Sequence, residues 1–422
     1  MLPWWGPMPA QTPACLPSLG KDVMMTAEHS VRAFPLAPPG TMGPPREYDA
    51  LRRECPIVRV ELPMGATAWY VTRYDDVRTL LADTRLVRPT INSWPPTPED
   101  TPPAGPGLVT MMEMEGPRHT TLRRAVAEAF SARTVRLWEN QIRELAEQLL
   151  DDMEAGGRPA DLISGFAEPF PLRVMCDLVG LPYEERGFYL PLADTALGAL
   201  MTLEQGRAAT DQLRSYVAEC LGRKRRKPNH DVLTELIRRC DTGELAQEDL
   251  ISFGLSMLVA GYRTSTMFIA NAVLTLLTHP HQLAEVQANG RLIPNVVDEL
   301  LRYLPVMNGT VVLLATEDLH IRGRTIRAGE AVLPVIAAAN LDDSVFPEPH
   351  RLDLSRFPNP HLSFGRGPHN CVGMHLARAE LTIALETLLN RFPNIRLAIP
   401  EHELPWEDDA PSKSPDFFPI SW

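Results

Sequence analysis

The longest apolar segment of the chain runs over residues 248–279. At 1.5 Å per residue, a helix of about thirty residues would extend roughly 45 Å and cross a whole domain. A membrane-spanning helix is the alternative interpretation, because most of these positions are apolar. However, Arg263, Asn271 and the hydroxyl residues at 264–266 would be costly in lipid, and no basic flanks support a span. The pattern therefore predicts a long helix through the centre of a globular domain.

A second helical pattern begins beside a cysteine in a glycine-rich stretch. Val372, Leu376, Ala379 and Ile383 recur at i, i+4, i+7 and i+11, which places Cys371 at or just before a helix N-terminus. Backbone N–H groups and the helix dipole favour a thiolate at such a position. The flanking glycines suit tight turns and leave room for a flat group to approach the sulfur. One thiolate fits the axial ligand of a heme iron, whereas structural zinc needs four ligands.

The rest of the chain contains segments of helical periodicity and short segments of alternating apolar and polar residues. A short helix, a β-hairpin and a second helix are predicted over residues 46–83, and residues 136–240 are mostly helical. Residues 87–112 form a Pro-rich loop that is too long to be idle in a compact domain. The prediction is a mainly α fold with small β-sheets.

The length of the chain permits more than one domain, but no central segment has the composition of a linker. The 422 residues would allow two or three domains on length alone. Residues 1–30 are rich in proline and lack the basic region and apolar core of a signal peptide. We therefore expect a disordered tail over residues 1–30 and a single domain over residues 31–422.

Charge and cysteine content narrow the function classes. The net charge of −12 and the pI of about 5.5 argue against a nucleic-acid-binding protein. The six cysteines are scattered without paired spacing, which is typical of a reduced setting rather than of a disulfide framework. We expect a cytoplasmic protein without membrane attachment.

The residues around Cys371 resemble a known cofactor-binding loop. The pattern Phe364-x-x-Gly367-x-His369-x-Cys371-x-Gly373 is similar to the heme-binding loop of the cytochrome P450 family. A bare Cys-x-Gly would indicate only a buried turn, but five fixed positions at this spacing disfavour that interpretation. The resemblance covers about residues 34–422 and implies a cytochrome P450 fold, a single heme domain with a long central helix. By this resemblance Cys371 is the iron ligand of heme b, in a loop that includes Phe364, Gly365, His369 and Gly373.

The resemblance also implies which residues hold the heme propionates. His119 and Arg123 are spaced i, i+4 on one helix face, and a guanidinium beside an imidazole suits carboxylates. His369 would add a third contact. An exposed basic helix face is the alternative for the first two residues. Leu313 stands where many members of the family place a basic residue, so we expect fewer charged contacts to the heme.

In the central helix, the resemblance makes Ala260 and Gly261 a groove for dioxygen and Thr264 the alcohol beside it. The family usually has Asp or Glu before that threonine to relay protons, whereas this chain has Arg263. Because arginine stays protonated, it cannot act as a general acid at ordinary pH. Arg263 is left with three interpretations: bonding a carboxylate elsewhere in the protein, binding an anionic or carbonyl group of the substrate, or positioning peroxide.

The resemblance further predicts a structural ionic network. Glu299 and Arg302 lie three residues apart on a predicted helix, and the family ties them to a later arginine, here Arg356. We expect a buried triad that anchors the loop carrying Cys371.

Three function classes follow. The first is monooxygenation of a small organic substrate, with the composition and length of bacterial members that tailor natural products. The second is oxidative coupling or ring closure between aromatic or peptide-like groups. The third is a heme protein without turnover, which the retained Thr264 and Ala260–Gly261 disfavour. We expect a monomer that receives electrons from NAD(P)H through a ferredoxin reductase and a ferredoxin.

Overall fold

The computed structural model describes residues 32–33, 43–62, 66–89, 110–197, 203–304, 311–406 and 414–422. Within these ranges lie fourteen α-helices and eleven β-strands. The helices are α1 (Glu47–Glu54), α2 (Tyr74–Leu80), α3 (Gly116–Ala127), α4 (Ala132–Ala155), α5 (Pro169–Val179), α6 (Arg186–Leu197), α7 (Leu203–Arg226), α8 (Val232–Asp241), α9 (Gln247–Ala260), α10 (Arg263–Thr278), α11 (Pro280–Ala288), α12 (Ile293–Tyr303), α13 (Ile336–Ala339) and α14 (Met374–Arg391). The strands are β1 (Arg32–Ala33), β2 (Ile57–Glu61), β3 (Thr67–Val71), β4 (Leu86–Val87), β5 (Ala160–Asp161), β6 (Leu313–Ala315), β7 (Leu319–Ile321), β8 (Arg324–Ile326), β9 (Ala331–Pro334), β10 (Arg396–Leu397) and β11 (Pro419–Ser421).

The strands form three small sheets. The largest has the order β1-β2-β3-β9-β6-β4, a second has the order β10-β11-β5, and β7 pairs with β8. The predicted hairpin is the antiparallel pair β2–β3, in which Ile57 lies opposite Val71. At the far edge of the largest sheet, β4 runs antiparallel to β6, with Leu86 opposite Ala315. The prediction of a mainly α fold with small β-sheets is confirmed.

The helices enclose one large apolar core. α4 packs along α14, and Ser131 caps α4 by accepting a hydrogen bond from Thr134 N–H at 3.2 Å. From Asp249 to Val259 every residue of α9 is buried. A helix that is apolar on all sides belongs in the interior of a domain, so α9 and α10 occupy the centre, as the sequence predicts.

The predicted central helix is interrupted near its middle. α9 ends at Ala260 and α10 begins at Arg263. Tyr262 has φ −133° and ψ −39°, away from helical values, and regular bonding resumes where Thr266 N–H donates to Tyr262 O at 3.0 Å. A Cβ atom at Gly261 would come within 2.9 Å of Met175 Cγ on α5. Hydrophobic periodicity does not record this interruption, because it accompanies tertiary packing against another helix.

No helix among the described residues is long and apolar enough to cross a membrane. The expected tail over residues 1–30 and most of the Pro-rich loop over residues 87–112 lie outside the described ranges.

Candidate functional site

A cavity of about 600 Å³ lies between α3, the α9–α10 junction and the start of α14, a size typical of small-molecule and cofactor sites. Much of its wall is apolar, including Met111, Phe130, Met175, Val179 and Phe268. The cavity brings together nearly all of the predicted site residues: His119, Arg123, Ala260, Gly261, Thr264, Phe364, Gly365, His369, Cys371 and Gly373. The exception is Arg263, which is not part of the wall.

Tight turns position the cysteine loop. Gly365 and Gly367 have φ values of +67° and +77°, which favour glycine. At Gly367 a Cβ atom would also come within 2.6 Å of Leu81 O, so only glycine fits there. Cys371 N–H donates to Phe364 O at 2.7 Å and closes the loop. α14 begins three residues after Cys371, which confirms the predicted position before a helix N-terminus.

The environment of the Cys371 thiol differs in part from the expected one. Burial raises the pKa of this thiol, while the Gly373 N–H and the charge of Arg123 act in the opposite direction. The predicted stabilisation of a thiolate is therefore present but outweighed by desolvation in the protein alone. Coordination to a metal would deprotonate the thiol outright.

The predicted ionic network is present, with Glu299 and Arg302 fully buried and Arg356 partly buried. Arg302 donates from Nε and Nη2 to the two oxygens of Glu299, each at 2.8 Å, and neither side chain is exposed. Arg356 donates from Nε to Glu299 Oε2 at 3.1 Å. Asn359 and the Asp353 N–H bind the same carboxylate. The prediction of a buried triad is confirmed.

Asn340 connects this network to the cysteine loop. Its backbone oxygen accepts from Arg302 Nη1 at 3.0 Å. Its side chain accepts from Leu362 N–H at 2.8 Å and donates to Ser363 Oγ at 2.9 Å. These bonds fix the start of the loop that leads to Cys371, as expected for an anchoring network.

Two histidines stack at one end of the cavity. The rings of His119 and His369 lie 4.4 Å apart between centroids, and His369 Nε2 lies 3.1 Å from Glu115 Oε1. Burial, together with His369 and Arg123, lowers the pKa of His119 to about 4. Burial also lowers the pKa of His369, followed by the charge of Arg88, although Glu115 opposes that shift. At neutral pH, His119 is therefore an uncharged imidazole.

Two guanidinium groups lie at the same end. Arg123 donates from Nη2 to the backbone oxygen and the side-chain oxygen of Asn370. Arg88 also lines the cavity. Sequence analysis missed Arg88, because a lone arginine after a two-residue strand has no diagnostic spacing.

The residues present fit heme. The Nε atom of Arg88 is buried and has no hydrogen-bond partner among the described residues, so this end of the cavity offers a donor for an added anion. A Cβ atom at Gly373 would meet nothing within 4 Å, which leaves open space beside the sulfur. The cavity suits an iron porphyrin that carries carboxylates. The thiol suits the iron, and the two guanidinium groups and two imidazoles suit the carboxylates.

The α9–α10 junction forms another part of the wall. Ala260, Gly261 and Thr264 line the cavity there. The Thr264 hydroxyl has no hydrogen-bond partner among the described residues and is accessible from the cavity.

Sequence analysis also missed a buried carboxyl group that contacts Ser265, the residue after Thr264. Glu380 on α14 is 2% exposed and accepts a hydrogen bond from Ser265 Oγ at 3.1 Å. Burial raises the pKa of Glu380 to about 8, and its Oε1 atom has no partner among the described residues. Its position between Leu376 and Ile383 on the apolar face of α14 is the signal that could have identified it.

Known proteins resemble this chain over almost its whole length. A family model described as Cytochrome P450 matches residues 200–405. Nocardicin C N-oxygenase from Nocardia uniformis subsp. tsuyamanensis is 38% identical over 393 residues, which cover 93% of this chain and 98% of that protein.

Solved structures give the same result. The LnmA cytochrome P450 hydroxylase from the leinamycin biosynthetic pathway of Streptomyces atroolivaceus is 38% identical, with a TM-score of 0.82 over 93% of this chain and 100% of that one. The putative thioether synthase SgvP, involved in the tailoring step of griseoviridin, is 34% identical, with a TM-score of 0.85 and the same coverage.

Proposed function

Since the chain belongs to the cytochrome P450 family, an oxidoreductase family that uses heme b, we propose that it is a monooxygenase that tailors a small natural product. The observation that carries the proposal is Cys371, which faces a mostly apolar cavity from a loop fixed by a buried ionic network. Relatives named as an N-oxygenase and a hydroxylase support the reaction class. The proposed heme domain spans residues 31–422.

In this proposal the chain holds the heme at two places. Cys371 ligates the iron, and Phe364, Gly365 and Gly373 shape the loop around it. Arg123 and His119 donate to the heme carboxylates, and His369 adds a third contact. Bound heme supplies reductive activation of dioxygen, which a thiolate ligand promotes by donating electron density. The protein supplies orientation and excludes water.

Thr264 is the proposed proton-handling residue. Its hydroxyl faces the cavity beside Ala260 and Gly261, where little side-chain volume blocks access. A hydroxyl both donates and accepts hydrogen bonds, so it can pass a proton from a cavity water. Arg263 cannot take part as an acid. A hydroxyl that is exposed to the cavity and free of partners within the described part of the chain also counts against a heme protein without turnover.

Oxidative coupling is the second candidate. The likeness to the putative thioether synthase SgvP favours it, because forming a thioether joins two groups instead of adding oxygen. Product analysis separates the candidates: monooxygenation adds the mass of one oxygen atom, whereas coupling removes hydrogens.

The experiment that tests the proposed function uses the spectrum of the reduced carbon-monoxide complex. We expect the Soret shift typical of thiolate ligation in the wild-type protein and its loss in Cys371→Ala. Cys240→Ala is the control, because this half-buried cysteine on α8 is not part of the cavity wall. If Cys371→Ala keeps the shifted spectrum, the assignment is wrong.

The electron donor is proposed to be a ferredoxin, reduced by NAD(P)H through its reductase. A basic face around Cys371 would suit an acidic ferredoxin, and four arginines are candidates for it. Two of them are already paired, Arg118 with Asp249 and Arg378 with Asp298. Arg124 and Arg366 are exposed, and the described residues include no ion pair for either. We therefore assign electrostatic steering of the ferredoxin mainly to Arg124 and Arg366. The rate at which ferredoxin reduces the heme should fall as the salt concentration rises. A cytoplasmic monomer remains a prediction.

A further inference from the structure

Arg88 follows directly after β4, whose register points it towards Leu313 on the neighbouring strand β6. β4 and β6 are antiparallel, with Leu86 opposite Ala315 and Val87 opposite Leu314. Continuing this register by one residue places Arg88 opposite Leu313. Residues directly opposite in an antiparallel pair project to the same face, with Cβ atoms about 4.5–5.5 Å apart. Both residues line the cavity. Arg88 therefore places a positive charge close to the position where Leu313 replaces the basic residue common in the family.

The described part of the protein leaves one donor of the Arg88 guanidinium unsatisfied. Its Nε atom is buried and has no hydrogen-bond partner among the described residues. Burial lowers the pKa of Arg88, although the carboxylate of Glu115 opposes the shift. A buried charged donor without a partner is costly unless a ligand completes it.

The backbone of Arg88 fixes which end of the cavity it serves. One oxygen of Glu115, Oε1, accepts from the Arg88 N–H and lies within hydrogen-bonding distance of His369 Nε2, each at 3.1 Å. Arg88 is therefore tied to the same carboxylate as His369, which stacks on His119, and Arg123 lies close enough to influence the charge of Arg88. The side chains of Arg88, Arg123, His119 and His369 therefore lie together at one end of the cavity.

We propose that Arg88 binds a carboxylate of the heme and supplies from β4 the cationic contact that Leu313 does not supply from β6. The inference rests on the proposed heme-binding function. The sequence predicted fewer charged contacts to the heme than is usual in the family. With Arg88 at the end of β4 in place of a basic residue on β6, the number of charged contacts is the usual one. A carboxylate of the substrate is the other source of the same chemistry, and the sharing of Glu115 with His369 favours the heme.

The test measures heme retention of the holoenzyme by transfer to excess apomyoglobin. Arg88→Leu should release heme roughly 10- to 100-fold faster, which corresponds to the loss of one charge-assisted contact. Arg88→Lys should fall between this variant and wild type, because it keeps the charge but not the planar donor geometry. The heme reduction potential should become more negative in Arg88→Leu. Arg85 lies three residues before Arg88, is exposed and pairs with Asp83, so Arg85→Leu is the matched control and should retain heme as the wild type does.

A rescue variant makes the test specific to the strand pair. In Arg88→Leu/Leu313→Arg the cation returns from the opposite strand, and heme retention should recover to within about threefold of wild type. A merely structural role of Arg88 would not be rescued in this way.

The outcomes separate the possibilities. Wild-type heme retention and potential in both Arg88→Leu and Arg88→Lys would overturn the proposal, and a weakened substrate-induced spectral shift in those variants would then assign Arg88 to a substrate carboxylate. A double variant that folds but retains heme no better than Arg88→Leu would also overturn it. A wild-type protein that binds no heme would instead refute the proposed function.

Discussion

Arg263 donates a hydrogen bond from Nη1 to Oδ1 of Asp194 at 3.0 Å, and this ion pair joins α10 to α6. Burial raises the pKa of Asp194, and the guanidinium opposes that shift. Of the three interpretations of Arg263, the bond to a carboxylate elsewhere in the protein is therefore the one that the structure supports. Arg263 then positions a helix, while Thr264 next to it faces the cavity.

The first prediction compares Thr264→Ala with Arg263→Ala. Thr264→Ala should lower the share of electrons that reach product roughly 10-fold or more and release them as peroxide, because a proton-transfer group has been removed. Arg263→Ala should keep normal coupling and lose at most about 1 kcal/mol of stability, since both partners of the ion pair are partly exposed. Product yield, peroxide and urea unfolding measure these effects.

Asp194→Asn is the control for the ion pair and should match Arg263→Ala in stability. Weaker substrate binding in Arg263→Ala alone would instead support a substrate contact. Normal coupling in both Thr264→Ala and Arg263→Ala would contradict the assignment of this junction to oxygen activation.

The second prediction concerns the buried triad. Glu299→Ala leaves the guanidinium of Arg302 buried without its carboxylate, and breaking such a pair costs about 3–5 kcal/mol. A domain with a typical stability of about 5–15 kcal/mol would survive in part but would hold its cysteine loop less firmly. Heme content after purification and the urea midpoint should both fall.

Glu235→Ala serves as the control, because Glu235 forms exposed pairs with Arg238 and Arg239 on α8. Its effect should stay within about 1 kcal/mol. If Glu299→Ala and Glu235→Ala have equal urea midpoints, Glu299 does not anchor the cysteine loop.

Much of this site was predictable, because its elements depend on local spacing. Cys371 before α14, the paired positions of His119 and Arg123, and the Glu299–Arg302 spacing are all set within one or two helical turns. The glycines of the cysteine loop predict tight turns, and Gly365 and Gly367 have the positive φ values that such turns require.

What escaped prediction depends on contacts between distant segments. Arg88 reaches the cavity only because β4 pairs with β6, more than two hundred residues later in the chain. The interruption at Gly261 accompanies packing against Met175, and the partner of Arg263 lies on a different helix. The raised pKa of the Cys371 thiol likewise follows from burial in the assembled fold rather than from the helix start alone.

The third prediction tests the close approach of backbone at Gly367. Gly367→Ala places a methyl group 2.6 Å from Leu81 O and 2.7 Å from the Ala82 Cα, in addition to a left-handed φ of +77°. We expect a loss of about 2–4 kcal/mol, combining strain with overpacking, together with weaker heme binding.

Gly323→Ala is the matched control for Gly367→Ala. Its φ is similar at +75°, but a Cβ atom there meets nothing within 4 Å, so it should cost only about 1–2 kcal/mol of backbone strain. If both alanine variants lose the same stability, the contact with Leu81 and Ala82 does not constrain the loop.

The last prediction is a pH dependence that originates at Glu380. Burial raises the pKa of Glu380 from 4.5 to about 8, so the folded protein keeps a proton that the unfolded chain releases near pH 4.5. Between these two values the unfolded state binds fewer protons, and the free energy of unfolding should therefore fall as pH rises. Urea unfolding at pH 5, 6, 7 and 8 should show that Glu380 contributes a loss of about 2–4 kcal/mol, measured as the difference between wild type and Glu380→Gln. The lowered pKa of His119 acts in the opposite direction below about pH 6.5, so the comparison of the two proteins isolates the Glu380 effect.

Glu380→Gln keeps the size of the protonated side chain and the hydrogen bond from Ser265 but cannot ionise. Its stability should therefore decline less between pH 5 and 8, and the two proteins should differ most at pH 8. Glu386→Gln, six residues later on α14 and paired with Arg143, should keep the wild-type slope. Parallel profiles for Glu380→Gln and wild type would mean that the Glu380 carboxyl is already ionised in the folded protein, with water or another group satisfying its second oxygen.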